Sequence, residues 1–382
     1  MDRYPRRMQA ALGQEAAVRP AYGGPALTSV MPTLVGGQPA PDSASWLPAP
    51  LTGAGAVVLL VLDGLGWNAL ETHRAALPRL GAMEGGPITT VVPSTTAAAL
   101  TSLSTGLAPS QHGVVGFRMR VDDGVLNVLS WRRSDGRHAP DPFSVQRHAA
   151  FGGRPVPVIT KSEFSTTGFT EAHLRGVKFI GWRAVSTLVE HARRLVEAGE
   201  RFVYSYYPGV DSVAHEFGLH DGYFRGELAF VDDLVGRLLD VLPESAALVV
   251  TSDHGQVHFG REGQVSLHAV APLVDDYAGD GRFRYLYARR GAVNELCAQA
   301  RSEYGDQAWV WSREQVLDEG WLGPGPVTGG VRRRIGDVVL AARAPVAFVD
   351  PTLPNEAQLL AGHGSITPDE MLIPFVASRG TQ

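Results

Sequence analysis

AVVLLVLDG, residues 56–64, is seven consecutive apolar residues closed by an acid and a glycine. A run of that length without polar alternation is the pattern of a parallel strand buried on both faces. Downstream, Asn68–Leu80 reads as a helix, Ile88–Val92 as a short strand and Thr96–Thr105 as a helix stopped by Gly106. Val156–Thr160, Arg201–Tyr207, Ala246–Thr251 and Met371–Ala377 read as further strands, with helices over Arg183–Ala198 and Gly222–Leu242. Strands alternating with helices predict an α/β fold, a mostly parallel sheet with helices on both faces. Residues 1–50, rich in Pro, Gly and Ala, are expected to form an arm packed on the domain, with a short helix near Leu27–Leu34. Residues 51–382 read as a single domain with irregular capping insertions at about 117–150 and 258–355, the first of them hairpin-like.

Composition removes several function classes. The 382 residues are 44% hydrophobic and 19% charged with a net charge of -5, the balance of a globular protein and not of a basic nucleic-acid binder. Only two of the 34 basic residues are lysines, Lys161 and Lys178, and neither follows a glycine-rich turn, so a Walker-type phosphate loop is excluded. One cysteine, Cys297, excludes an internal disulfide and a cysteine-rich metal site. The apolar run at 56–62 is too short to span a bilayer, and the first twenty residues lack an apolar stretch of signal-peptide length. The expectation is a cytoplasmic protein with no membrane association. Oligomeric state is not readable.

What remains available for chemistry is carboxylate, imidazole, hydroxyl and arginine. Asp63, Asp211 and Asp253 each stand just past a predicted strand. In open α/β sheets the ligand crevice lies there, so the three acids are placed to meet, although an acid in that position is also a common helix cap. Asp211 and His215 lie one helical turn apart, so both can point at one ion. His254 follows Asp253 directly, and His363 sits in GHG. His138, His148, His173, His220, His258 and His268 have no such setting and read as surface or core residues, and His112 reads as packing the loop after the helix. The hydroxyl cluster Ser94-Thr95-Thr96 opens the 96–105 helix. It reads either as a plain N-cap or as an anion site whose threonine can attack phosphorus beside a metal.

Taken in order, LVLDGLGW (60–67), PSTTAAALTSLSTGLAPSQHG (93–113), YYPGVDSVAHEFG (206–218), VTSDHG (250–255) and GHGSITPDEMLIPF (362–375) resemble the alkaline phosphatase superfamily. Within it the chain is most similar to the type I phosphodiesterase/nucleotide pyrophosphatase family. The resemblance implies two divalent metal ions, one held by Asp63, Thr96, Asp253 and His254 and the other by Asp211, His215 and His363. It also implies that Thr96 is the nucleophile, because the family's nucleophile lies nine residues before the threonine of TGL, here Thr105. An all-oxygen and imidazole donor set suits zinc first, with manganese or another divalent ion as the alternative.

The implied reaction is cleavage of a phosphodiester or pyrophosphate bond of a nucleotide or related small molecule through a phospho-threonine intermediate. The partner is then a small phosphoester substrate, and no nucleic-acid-binding surface is evident. One departure stands out: the family asparagine after HG-x-x-G, which donates to a phosphoryl oxygen, is replaced by Phe117. Phe117 cannot donate, so Arg118 and Arg120 become the expected substrate contacts, or a backbone N–H takes the role. The alternatives are a phosphomonoesterase or phosphonate hydrolase of the same superfamily, or a binding protein that keeps the metals for stability. The modified Cys or Ser setting of sulfatases is absent, and nothing matches the serine motif of phosphoglycerate mutases.

Overall fold

The computed structural model describes residues 17–35 and 45–382. Of the expected N-terminal arm, the helix Leu27–Leu34 is present and buries Leu27, Val30 and Met31 against the main core, while 1–16 and 36–44 lie outside the described residues.

Seven strands build the main sheet: β1 (Ala56–Leu62), β2 (Glu84–Thr89), β3 (Pro157–Lys161), β4 (Lys178–Trp182), β5 (Phe202–Tyr207), β6 (Ala246–Thr251) and β7 (Leu372–Arg379). Their spatial order is β2–β7–β6–β1–β5–β3–β4. β1 sits between β5 and β6, parallel to both, with Leu59 level with Tyr204 and Val249. Its side chains divide by parity. Leu59 and Val61 enter the core on one face, and Val58, Leu60 and Leu62 enter the core on the other. That two-sided burial is why the run carries no polar alternation, and each such residue contributes about 1.5–3 kcal/mol relative to exposure.

Helix α1 (Thr96–Thr105) packs on the first face. Its Ala97, Ala98 and Ala99 are fully buried, and it ends on Gly106 at φ 71°. Helix α2 (Gly209–Phe217) follows β5, and the long helix α3 (Gly222–Val241) covers the second face with Phe224, Leu228, Val231 and Leu238. Asp221 caps α3 by accepting from the amides of Tyr223 (2.8 Å) and Phe224 (3.3 Å).

β7 runs antiparallel to β6 and β2. The chain has just passed His363 at the carboxyl end of the parallel strands, so the last strand must run back from it. Two sequence readings shift. The helix expected over Asn68–Leu80 stops at His73 and gives way to short 3-10 turns, because Pro78 disfavours helical backbone at Leu77 (φ -121°, ψ 74°). β2 lies upstream of its expected position because it pairs along the outer side of β7 as an edge strand. The edge strand β4 carries no clear apolar signal, with only Trp182 of its five residues buried.

The two insertions have their own order. Arg118–Val121, Gly124–Asn127 and Arg132–Arg133 form a small antiparallel sheet. Val274–Gly279, Phe283–Ala288, Val338–Ala342 and Ala308–Ser312 form, in that order, a second antiparallel sheet with a separate core around Leu286, Leu296, Leu340 and Phe348.

A buried fork joins this second sheet to the loop carrying His363. Arg282 Nε and Nη2 donate to Glu370 Oε1 and Oε2 at 2.8 and 2.9 Å, both side chains being almost wholly buried. Glu370 also accepts from the Ser365 amide (2.9 Å) and the Thr367 hydroxyl (2.6 Å). Removing one partner of such a pair leaves a buried charge without compensation. Glu370→Ala should therefore lower unfolding free energy by about 3–5 kcal/mol in denaturant titration; a loss under about 1 kcal/mol would show that the fork does not anchor the loop.

Candidate metal centre and active site

The carboxyl ends of β1, β5 and β6 deliver the site. Asp63 follows β1, Asp253 and His254 follow β6, and Asp211 and His215 lie on α2 just after β5. His363 arrives on the loop before β7, where Gly362 pairs with Val257. Gly64, at φ 76°, lets the chain turn beneath the acids. A Cβ there would come 2.5 Å from Gln256 Nε2 and 2.9 Å from Asp211 Cβ.

All seven side chains converge. Thr96 Oγ1 lies 3.1 Å from His254 Nε2, which is 3.5 Å from Asp63 Oδ1 and 3.3 Å from Asp253 Oδ2. Asp211 Oδ1 lies 3.3 Å from His215 Nε2 and 3.7 Å from His363 Nε2. The rings of His254 and His363 stack at 3.6 Å and join the two groups. Two sets of donor atoms fall within 4.8 Å of one another: Asp211 with His215 and His363, and Asp63 with Asp211 and His254. The first is the set the resemblance implies for one ion. In the second, Asp211 stands between the two groups, while Asp253 reaches it through His254.

The imidazoles are aimed by their far nitrogens. Nδ1 of His215 faces the Ala361 carbonyl at 2.8 Å, that of His254 faces Gly255 at 3.1 Å, and that of His363 faces Ser94 at 3.0 Å. A carbonyl only accepts, so each Nδ1 carries the proton and each Nε2 keeps its lone pair for the site. Asp253 Oδ1 accepts from the amides of Gly64 and His254, both at 3.1 Å, and Asp63 Oδ2 accepts from the Tyr206 hydroxyl.

Two oxygens are left over. Asp63 Oδ1 and Asp253 Oδ2 are buried without a hydrogen-bond partner. Each such atom costs about 1–3 kcal/mol unless something positive meets it. Burial, with the facing charges of Asp253 and Asp211, holds the Asp63 carboxyl well above the usual range. Burial alone would raise Asp211 and lower His215. Their mutual attraction outweighs it, leaving Asp211 below the ordinary carboxylate range and His215 raised to about 9, so a cation entering at neutral pH displaces the proton from His215 Nε2 to gain that lone pair. Burial and the neighbouring His254 ring hold His363 well below the ordinary imidazole value. Orphaned carboxylate oxygens beside three lone pairs are the donor set a divalent cation needs, so these residues fit the implied metals.

The hydroxyl cluster does not cap its helix. Thr95 occupies the N-cap position without a side-chain bond to the helix, and its hydroxyl donates instead to Asp280 Oδ1 at 3.2 Å. Ser94 Oγ donates to the Ser365 carbonyl at 2.6 Å. Thr96, the first residue of α1, turns its hydroxyl toward His254 in the cluster of acids and imidazoles, and the amides of the first turn stay available to an anion.

Two cavities flank Thr96. The first, about 220 Å³, is walled by Leu100, Phe164, Phe169, His173, Tyr204 and Tyr206. The second, about 270 Å³, is bordered by the turn 280–282 that joins two strands of the second sheet, and includes Phe117, Phe259, Asp280 and Phe348. Thr96, Leu129 and Asp211 border both.

The structure places Arg118 and Arg120, the expected substrate contacts, away from Thr96. Neither borders either cavity: Arg118 is buried in an ion pair with Asp350, and Arg120 pairs with Asp276 (2.6 Å) and Asp275 (3.1 Å) over the Tyr287 ring. Strand Arg118–Val121 turns them toward the second sheet. Phe117 does reach the second cavity. His112 is buried, its Nδ1 accepting from the Val114 amide (3.1 Å) and its Nε2 2.8 Å from Ser102 Oγ, the packing role expected of it. His173 was assigned no site role by the sequence, yet it is buried in the wall of the first cavity, stacked on Phe169 at 3.9 Å. Burial lowers its pKa to about 4, so it presents a neutral ring. Asp280, Tyr204 and Tyr206 also went unread. Tyr206 alone had a signal, being inside the YYPGVD motif.

Comparison with known proteins agrees with this geometry. A sequence model of the type I phosphodiesterase / nucleotide pyrophosphatase family matches residues 57–366, and the chain belongs to that family. Murine ectonucleotide pyrophosphatase / phosphodiesterase 5 superposes with a TM-score of 0.64 at 14% identity, covering 84% of this chain and 87% of that one. An inactive variant of the murine protein in complex with AMP gives 0.62, also at 14% identity, with coverage of 84% and 87%. Phosphonoacetate hydrolase from Sinorhizobium meliloti 1021, in complex with phosphonoformate, gives 0.60 at 17% identity, covering 86% and 91%. At these identities the likeness establishes the shared alkaline phosphatase fold. GPI ethanolamine phosphate transferase 3 of Schizosaccharomyces pombe is 32% identical over 82 residues, 22% of this chain, and the match spans 9% of that protein's length. The family is divalent-metal dependent and acts on small phosphoesters, and as its member the chain is a hydrolase.

Metal occupancy should be measurable directly. Purified protein should carry two divalent ions per chain by elemental mass spectrometry, and Asp211→Asn should reduce that to one or none. Chelation should lower the melting temperature and re-addition of zinc should restore it, since a ligand at about 100 times its Kd adds about 2.7 kcal/mol to stability. Fewer than two ions in active protein would contradict the two-ion centre.

Proposed function

We propose that this member of the type I phosphodiesterase / nucleotide pyrophosphatase family cleaves a phosphodiester or pyrophosphate bond of a small molecule, with Thr96 as nucleophile. The observation that carries the reading is the pair of cavities meeting at Thr96, about 220 and 270 Å³. A diester presents two substituents on either side of phosphorus, and each has a compartment here; a monoester needs one. The first cavity, apolar and aromatic with a neutral His173, suits a flat uncharged group such as a nucleobase or an aryl ring. That the murine neighbour was captured in complex with AMP supports a nucleotide as one arm of the substrate.

Asp63, Thr96, Asp253 and His254 would hold one divalent ion, and Asp211, His215 and His363 the other, with zinc favoured by the mixed nitrogen and oxygen donors and manganese as the alternative. When bound, the ions supply positive charge for the phosphoryl oxygens and make the Thr96 hydroxyl acidic. The chain's own contribution is position. The start of α1 holds Thr96 Oγ1 at the junction of the cavities, and its first amides face the place where phosphoryl charge develops. Those amides offer donors where the family asparagine gives way to Phe117. Thr96 forms its bond to phosphorus as one ester oxygen departs, and water then releases the phosphoryl group from Thr96.

Thr96→Ala should lower kcat on a bis-aryl phosphodiester by about 10³-fold or more, while melting temperature and metal content stay near those of the wild type. Wild-type turnover in that variant would show the nucleophile to be elsewhere. The diester should be turned over faster than the matching monoester; a monoester preference would favour a phosphomonoesterase.

A further inference from the structure

Three arginines gather around residues 145–147, and the reaction above uses none of them. Arg175 Nη2 donates to the Arg147 carbonyl at 3.4 Å, and Arg334 Nη1 donates to the carbonyls of Gly113 and Val145 at 2.6 and 2.9 Å. Gly113 makes room for that contact, since a Cβ there would come 2.5 Å from Arg334 Nη1. The third arginine, Arg147, is exposed. Its segment is fixed from below. Buried Gln146 donates from Nε2 to the carbonyls of His148 (2.8 Å) and Ala172 (2.7 Å), and its Oε1 accepts from the His148 amide. Ala172 belongs to the helix Gly168–Leu174, which Arg175 follows.

Among the described residues no ion pair neutralises this cluster. Backbone carbonyls accept hydrogen bonds but carry no net charge, and no described carboxylate lies within 4.0 Å of the three guanidinium groups. Asp141, nearby in sequence, accepts from the Phe143 amide at 3.4 Å. Asp122 does act on Arg334, but burial, helped by Arg147, outweighs it and holds that guanidinium below its ordinary value. Arg175 Nη1 is buried without a hydrogen-bond partner, and its guanidinium lies 4.6 Å from the centre of the exposed Phe143 ring. His148 adds a further basic group beside them, near enough with Arg334 to act on His112. In a chain of net charge -5 this is a local excess of positive charge, held in place before any partner arrives.

Guanidinium groups present forked N–H donors that match the oxygens of a phosphoryl group. A phosphoryl monoester brings about -1.5 to -2 charges at neutral pH and three acceptor oxygens, where a carboxylate brings one charge and two oxygens. We propose that Arg147, Arg175 and Arg334 form a second anion site, apart from the metal centre, that receives a phosphoryl group. None of the three borders either cavity beside Thr96. Arg175 follows His173 and Leu174, which line the first cavity, so the site lies behind that wall and does not depend on the reading of the reaction.

Inorganic phosphate is the probe. Titrated calorimetrically into zinc-loaded protein, it should fill two sites per chain, and Arg147→Gln should weaken one of them at least about tenfold. Phosphate at the metal centre is read separately, by its inhibition of bis-aryl phosphodiester turnover. That inhibition constant and kcat should be the same in Arg147→Gln as in the wild type. If the diester is not turned over, the two calorimetric sites still decide. Arg147→Glu supplies the missing acid, so it should abolish the second site without lowering the melting temperature. One phosphate per chain in the wild type, or a second phosphate that survives Arg147→Glu, overturns the proposal. A fall in melting temperature in Arg147→Glu also overturns it, by showing that Arg147 serves packing. Vesicles of phosphatidic acid distinguish the sources of the phosphoryl group. Sedimentation of the wild type but not of Arg147→Glu supports the site with a lipid head group, and the second phosphate site without sedimentation supports it with a free phosphate ester.

Discussion

The carboxylates of Asp63, Asp211 and Asp253 are forced together at the ends of three adjacent strands, two of them fully buried. Like charges so placed repel, and burial strengthens the repulsion. The elevated Asp63 carboxyl and the unpartnered oxygens of Asp63 and Asp253 are two expressions of the same constraint. The imidazoles add to the demand: three Nε2 atoms join the acids around a space that only positive charge can fill.

Holding that arrangement takes more than the sheet. Each imidazole is fixed by a backbone carbonyl from a different loop, at Ala361, Gly255 and Ser94. The loop with His363 is pinned in turn by Glu370, through its bonds to Arg282, Ser365 and Thr367. The second sheet therefore does two jobs. It anchors the last ligand loop from behind, and its turn at 280–282 borders the cavity beside Thr96.

Much of this was readable in the sequence, for a physical reason. β1 and β6 are buried on both faces, so their apolar runs are nearly unbroken, and their ends locate Asp63 and Asp253. The Asp211–His215 pair is legible because helical spacing is local. The residues that went unread come from the insertions or depend on long-range folding. Asp280 lies on a turn whose neighbours, Thr95 and Phe117, are far away in the chain. His173 gained its place only when the segment after β3 closed over the sheet. Arg118 and Arg120 were the nearest charges to Phe117 in sequence, yet strand pairing turned both toward acids of the second insertion.

The central claim is that Thr96 bonds transiently to phosphorus, and peptide mapping of acid-quenched enzyme tests it most directly. Protein mixed with excess phosphodiester and quenched within the first turnovers should carry one phosphoryl-ester adduct per chain, on the peptide containing Thr96. Full turnover in the same mixing experiment, with no adduct at Thr96 at any quench time and direct transfer of the phosphoryl group to water, would contradict the account.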